Sequence, residues 1–149
     1  MYLISACLMG KNYKYNGGNN ETAEVVEFVA RAEAEGKTCM LVCPEIEVLG
    51  VPRIPVEITG GRAVNKEGKD VTEKFLLGTK KEWQKIEAKA KGEKIELAIL
   101  KANSPSCGCD VIYDGTFTGK TVQGDGFFTK LLKEKGIKVI TEKELCNEL

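Results

Sequence analysis

The chain has 149 residues, 42% hydrophobic and 30% charged, which is about one domain's worth of ordinary globular composition, so residues 1–149 read as one folding unit. Twenty-two Lys+Arg balance twenty-two Asp+Glu with no long block of one sign, so nothing points to a nucleic-acid polymer or an anionic membrane. Histidine is absent, which excludes Ser-His-Asp triads, Cys-His dyads and His-rich zinc sites.

Met1 leads directly into Tyr2-Leu3-Ile4-Ser5-Ala6-Cys7 without the basic and long apolar regions of a signal peptide. No apolar run approaches the ~20 residues of a membrane span. The expectation is a cytoplasmic protein, where thiols stay reduced and cysteines point to metal or catalysis before disulfides.

Residues 2–7 form a short apolar run before a Gly/Asn-rich stretch and read as a buried strand. From Glu21 to Glu35, Ala23, Val25, Val26, Val29 and Ala30 recur at helical spacing behind an Asn20 cap, with Gly36 as the stop. Residues 38–43 are a second buried strand, so the chain opens with a right-handed parallel crossover.

The segment from Pro44 to Lys69 holds alternating residues around Gly60-Gly61, which predict a small hairpin in a stretch long enough to be functional. Asp70-Val71-Thr72-Glu73 has a capping-box arrangement that opens a helix to about Lys91, with a break expected at Gly78. Residues 95–101 are the third strand. A second hairpin is expected around Asp114-Gly115, then a helix over residues 127–135 stopped by Gly136, a strand over 137–140, and a terminal helix capped by Thr141 and Glu144. The order argues a three-layer α/β sandwich with a mostly parallel, Rossmann-like sheet of about four strands plus small hairpins.

In an open parallel sheet, ligands bind outside the carboxyl ends of the strands. Cys7 ends the first strand, Cys43 ends the second and Cys107 lies in the turn after the third, so residues far apart in sequence converge on one sheet edge. Zinc usually takes four N/S ligands, often in short knuckles that are missing here, and a disulfide would leave one cysteine over. Iron–sulfur clusters accept widely separated thiolates, and three cysteines can hold a [4Fe–4S] cube with one iron open. Taken singly, each cysteine reads more as a small core hydrophobe than as a ligand, and the convergence of three beside Gly or Pro turns brings the two readings level.

Cys39 lies four residues before Cys43, about 13 Å along a strand, and reads as core. Cys146 reads as packing or surface on the terminal helix. Cys109, two residues past Cys107, reads as a fourth ligand, a sulfur acceptor or a silent residue, with an accessory or silent role favoured.

Ser5-Ala6-Cys7-Leu8-Met9-Gly10, Tyr15-Asn16-Gly17, Val42-Cys43-Pro44-Glu45, Pro52-Arg53-Ile54-Pro55, Gly68-Lys69-Asp70-Val71-Thr72, Lys101-Ala102-Asn103-Ser104-Pro105-Ser106-Cys107-Gly108 and Ile112-Tyr113-Asp114-Gly115-Thr116-Phe117 occur in that order. As a set they resemble the thiouracil desulfidase family over nearly the whole chain. The resemblance implies an enzyme whose [4Fe–4S] cluster is held by Cys7, Cys43 and Cys107 and which removes sulfur from a thiolated pyrimidine base such as 2-thiouracil, giving uracil and hydrosulfide. It further implies Glu45 as acid/base and Ser104 as an assistant at the substrate. Arg53, in a loop stiffened by two prolines, and Ser106 are read as substrate contacts. Tyr13 stands where many relatives carry a further cysteine, and Asn16 where Asp is common.

Beside that implication, Glu45 also reads as a solvated or capping carboxylate, Arg53 as half of a structural ion pair, and Ser104 as a turn hydroxyl. Lys101 faces either the crevice or outward. Gly124-Asp125-Gly126, at a helix start, is a weak anion-site signal. The competing functions are a cysteine-based sulfur carrier and a structural metal-binding module, neither of which turns over a base.

Overall fold

A computed structural model describes residues 1–148, with side chains through residue 146. Its centre is a four-stranded, fully parallel sheet in the order β2 (Cys39–Val42), β1 (Tyr2–Ser5), β5 (Leu97–Leu100), β8 (Val139–Thr141). The strands are apolar almost throughout because both faces of the sheet are covered. Successive residues feed opposite cores. Leu3, Ala98, Leu100 and Val139 pack with Ile86 of α3 (Thr72–Ala90) and with Phe128 and Leu132 of α4 (Phe127–Glu134). Ile4, Ile99 and Ile140 pack with Val25 and Val29 of α1 (Ala23–Ala34) and Leu145 of α5 (Glu142–Glu148). These are the three layers expected from the sequence.

The chain leaves β1 for β2 on one side and later crosses to β5 on the other. That reversal opens a crevice between the carboxyl ends of β1 and β5, the usual ligand position in such sheets. Two antiparallel hairpins border it: β3 (Val56–Thr59) with β4 (Arg62–Asn65), and β6 (Val111–Tyr113) with β7 (Thr121–Gln123). Among the described residues no helix is long and apolar enough to cross a membrane.

Several local expectations are corrected. β1 stops at Ser5, and Cys7 sits in a 3-10 turn (Ala6–Met9) closed by Gly10 at φ +86°. Asn20 does not cap α1, whose N-cap is Thr22, because its backbone N–H is engaged by the Cys7 carbonyl at 2.9 Å. Thr72 makes no capping box: its hydroxyl accepts the Ala63 N–H at 2.9 Å, and Asp70 takes the Thr72 N–H instead. α3 runs unbroken through Gly78, and a further helical turn, α2 (Ile46–Leu49), precedes the first hairpin.

The β3–β4 turn is the expected Gly60-Gly61, both at positive φ. The β6–β7 connection is not a two-residue Asp-Gly turn: Tyr113 pairs with Thr121, leaving residues 114–120 as a loop. Asp114 accepts the Thr116 N–H at 2.9 Å, while Glu57 on β3 takes the N–H groups of Gly115 and Phe117 at 3.0 Å each. The neighbouring hairpin therefore holds this loop open.

Candidate metal centre and active site

Each of the three convergent cysteines is set by a different local device. In the 3-10 turn the Cys7 carbonyl accepts from the Gly10 and Asn20 amides, and Asn20 lines the cavity beside Cys7. Cys43 follows β2 directly, and its turn rests on α3. A Cβ on Gly78 would meet the Pro44 carbonyl oxygen at 2.0 Å, so only glycine allows that approach. One turn further along α3, the buried carboxyl of Glu82 is pushed up to about 7 by burial, opposed by the Cys43 backbone N–H.

Cys107 lies in a turn in which the Ser104 hydroxyl accepts the Cys107 N–H at 2.8 Å and the Ser104 carbonyl accepts the Gly108 N–H at 2.9 Å. The start of α4 closes over that turn. Phe127 and Phe128 donate to the Pro105 and Ser106 carbonyls at 2.9 Å, and the Thr129 hydroxyl donates to the Cys107 carbonyl at 2.9 Å. A Cβ on Gly126 would come within 2.4 Å of the Ser106 carbonyl oxygen. The anion reading of Gly124-Asp125-Gly126 is thereby overturned: these amides are taken by the Cys107 loop, and Asp125 is paired with Lys133 at 3.0 Å. The positive end of α4 instead favours negative charge on that loop.

Cys7, Cys43 and Cys107 all line one cavity of about 490 Å³ at the carboxyl end of the sheet. Burial pushes all three thiols up, Cys43 to about 11 and Cys107 well above the ordinary range. The neighbouring charges of Cys43 and Cys7 raise Cys107 further, so the three sulfurs feel one another, and the Ser5 hydroxyl opposes them. Desolvated thiols of this kind hold their protons until a metal replaces them.

The donor set favours a cluster over a single ion. One zinc with Zn–S near 2.3 Å requires sulfurs roughly 3.8 Å apart. Among the described residues, the group with three donor atoms within 4.8 Å of one another is Cys109, Asp110 and Asp125, not the cavity trio. Lys133 already fills that group, at 2.8 Å from Asp110 and 3.0 Å from Asp125.

Glu45 projects into the same cavity with both carboxylate oxygens engaged. Arg53 Nε donates to one at 3.2 Å, and the Ser106 hydroxyl donates to the other at 2.5 Å. Arg53 also donates to the Gly50 carbonyl at 3.0 Å and the Tyr13 carbonyl at 2.8 Å, which ties three loops to the Glu45 carboxylate. Ser106 is 1% exposed and stands behind Glu45, not on the cavity wall. Ser104 lies on the wall, as do Tyr13 and Lys101, whereas Asn16 is exposed and accepts the Gly18 N–H in a local turn.

The remaining cysteines lie apart. Cys39 packs against the α1-side core at the far end of β2, and Cys146 is exposed. Cys109 is buried, with its thiol 3.6 Å from the Val139 carbonyl, and is not on the cavity wall. Sequence reasoning missed Ser5, Asn20, Glu82 and Glu142, which act on the site from other elements. The Ser104-Pro105-Ser106-Cys107 run was the available signal for the hydroxyl behind Glu45.

Residues 2–144 match the family described as 2-thiouracil desulfurase. A relative from Bacillus subtilis (strain 168), the uncharacterized protein YbbK, is 39% identical over 158 residues, covering 97% of each chain. The solved structure of TudS, named as a [4Fe–4S]-dependent thiouracil desulfidase, superposes with a TM-score of 0.83 at 34% identity, over 98% of this chain and 93% of that one. With the family matched along nearly its full length and the fold shared, the chain belongs to the 2-thiouracil desulfurase family.

Proposed function

We propose that this chain is a [4Fe–4S]-dependent desulfidase that removes sulfur from a thiolated pyrimidine base such as 2-thiouracil, leaving uracil and hydrosulfide. The observation that carries the reading is the meeting of Cys7, Cys43 and Cys107 with Glu45 around one cavity. Family membership and the name of the solved neighbour support it. The three thiolates would hold the cluster, which when bound supplies a Lewis-acidic iron with an open position.

Glu45 does the acid–base work. Its carboxylate takes a proton from water as the water oxygen bonds to the thiocarbonyl carbon, then gives that proton to sulfur as the carbon–sulfur bond breaks, so hydrosulfide leaves and the added oxygen becomes the uracil carbonyl on losing its second proton to solvent. Ser106 fixes the carboxylate from behind and Arg53 fixes it from the cavity wall. The Ser104 oxygen is occupied as an acceptor, but its hydroxyl proton is free to donate to a base in the cavity. The partner is a small molecule: the cavity suits one base, and the balanced charge of the chain offers no track for a polymer.

Anaerobic reconstitution with iron and sulfide followed by 2-thiouracil tests the reading. A brown protein that releases sulfide and uracil is the expected outcome. Reconstituted protein that binds iron yet leaves 2-thiouracil and related thiolated bases intact contradicts it. Cys109→Ser separates it from the sulfur-carrier alternative, because a desulfidase keeps its turnover and a carrier loses transfer.

A further inference from the structure

Lys101 follows β5 directly, at the carboxyl end of the strand, and lines the cavity. Its ammonium donates to the Ala102 carbonyl at 3.0 Å and lies 3.2 Å from Glu142 Oε2. Glu142 is itself locked, since its other oxygen accepts the Ala102 N–H at 2.6 Å. The Lys101 backbone N–H is bound at 2.9 Å by the hydroxyl of Ser5, which faces Cys107. An ammonium carries three donors. Two have fixed partners here, and the side chain is still 28% exposed on a wall of the cavity.

The other cations around the cavity differ. Arg53 spends three of its five N–H donors on Glu45 and the Gly50 and Tyr13 carbonyls, so its charge is already shared with the Glu45 carboxylate. Lys14 lies over the Tyr15 ring at 5.8 Å, and Lys66 is exposed. Lys101 is tied through its backbone N–H to Ser5, two residues before Cys7, which places it at the thiol end of the chamber.

We propose that Lys101 is a further substrate-contacting residue: its third N–H donates to a carbonyl oxygen or ring nitrogen of the thiolated base. This rests on the desulfidase reading above. When water adds to the thiocarbonyl carbon, negative charge spreads to the ring heteroatoms, and a fixed ammonium stabilises it. The contact is a hydrogen bond, so no covalent or redox step is added. Glu142 is a positioning residue, holding the ammonium without touching the base.

The test uses anaerobically reconstituted wild-type protein with Lys101→Met, Lys101→Arg and Glu142→Gln. Iron content, the visible spectrum, kcat and KM for 2-thiouracil, and inhibition by uracil are measured together. Lys101→Met is expected to keep wild-type iron and spectrum, to lose kcat/KM by roughly 10²-fold, and to bind uracil more weakly. Lys101→Arg is expected to recover part of the loss, and Glu142→Gln to fall between. A Lys101→Met protein with kcat/KM within twofold of wild type overturns the proposal, as does activity lost only in proportion to iron. Wild-type protein inactive on thiolated bases indicts the underlying reading instead, which keeps the two failures distinct.

Discussion

In the proposed reaction Glu45 is the acid–base residue, and its surroundings hold it for that role. With Arg53 on one oxygen and Ser106 on the other, its orientation is set. Glu45→Gln is expected to lower kcat by about 10²–10⁴-fold while iron content stays at the wild-type level, checked by sulfide release and metal analysis on one preparation. Serine at Cys7, Cys43 or Cys107 is expected to abolish stable iron binding, whereas Cys109→Ser, in a thiol turned toward Val139, leaves iron and turnover intact. The sequence allowed Arg53 and Ser104 two readings each. Backbone carbonyls of Tyr13 and Gly50 draw Arg53 into a structural role, and no motif spells out carbonyls of distant loops.

At the scale of elements, helices α3 and α4 matter as supports for loops. Gly78 and Gly126 are the points where each helix meets a cysteine-bearing turn. Gly78→Ala is expected to cost about 1–3 kcal/mol of stability and to reduce iron loading by displacing Pro44, read by thermal melts and metal analysis. Gly78 looked like a helix break in the sequence because low helix propensity is visible there and a backbone contact across the fold is not.

The start of α3 also carries a pH signature. Arg62 and the Thr72 amide hold the Asp70 carboxyl down at about 2, below its ordinary 3.8. A depressed acid contributes stability above its unfolded value and loses it as pH falls through the folded one. Melting temperature is therefore expected to fall more steeply between pH 4 and pH 2 in wild type than in Asp70→Asn; parallel curves would contradict the assignment. The β6–β7 hairpin shows the limit of local signals. Asp114-Gly115 is a strong turn dipeptide, yet Glu57 from another hairpin captures the loop amides and lengthens the connection.

For the whole molecule, the parallel sheet and its covered faces were legible because four short apolar runs alternate with helical periodicity. The strand order was not written in any single run, but right-handed crossovers restrict it enough to bring three turns to one edge. The partners that hold the loops around the cavity come from α3, α4, α5 and the first hairpin, and pairing across the fold leaves no local pattern.

The central claim is that sulfurs from three turns of one sheet edge share a single cluster, and metal stoichiometry tests it most directly. Anaerobically reconstituted wild-type protein is expected to hold about four iron and four acid-labile sulfide per chain, with both lost together in each of Cys7→Ser, Cys43→Ser and Cys107→Ser. One zinc per chain, or iron that survives all three substitutions, would contradict it.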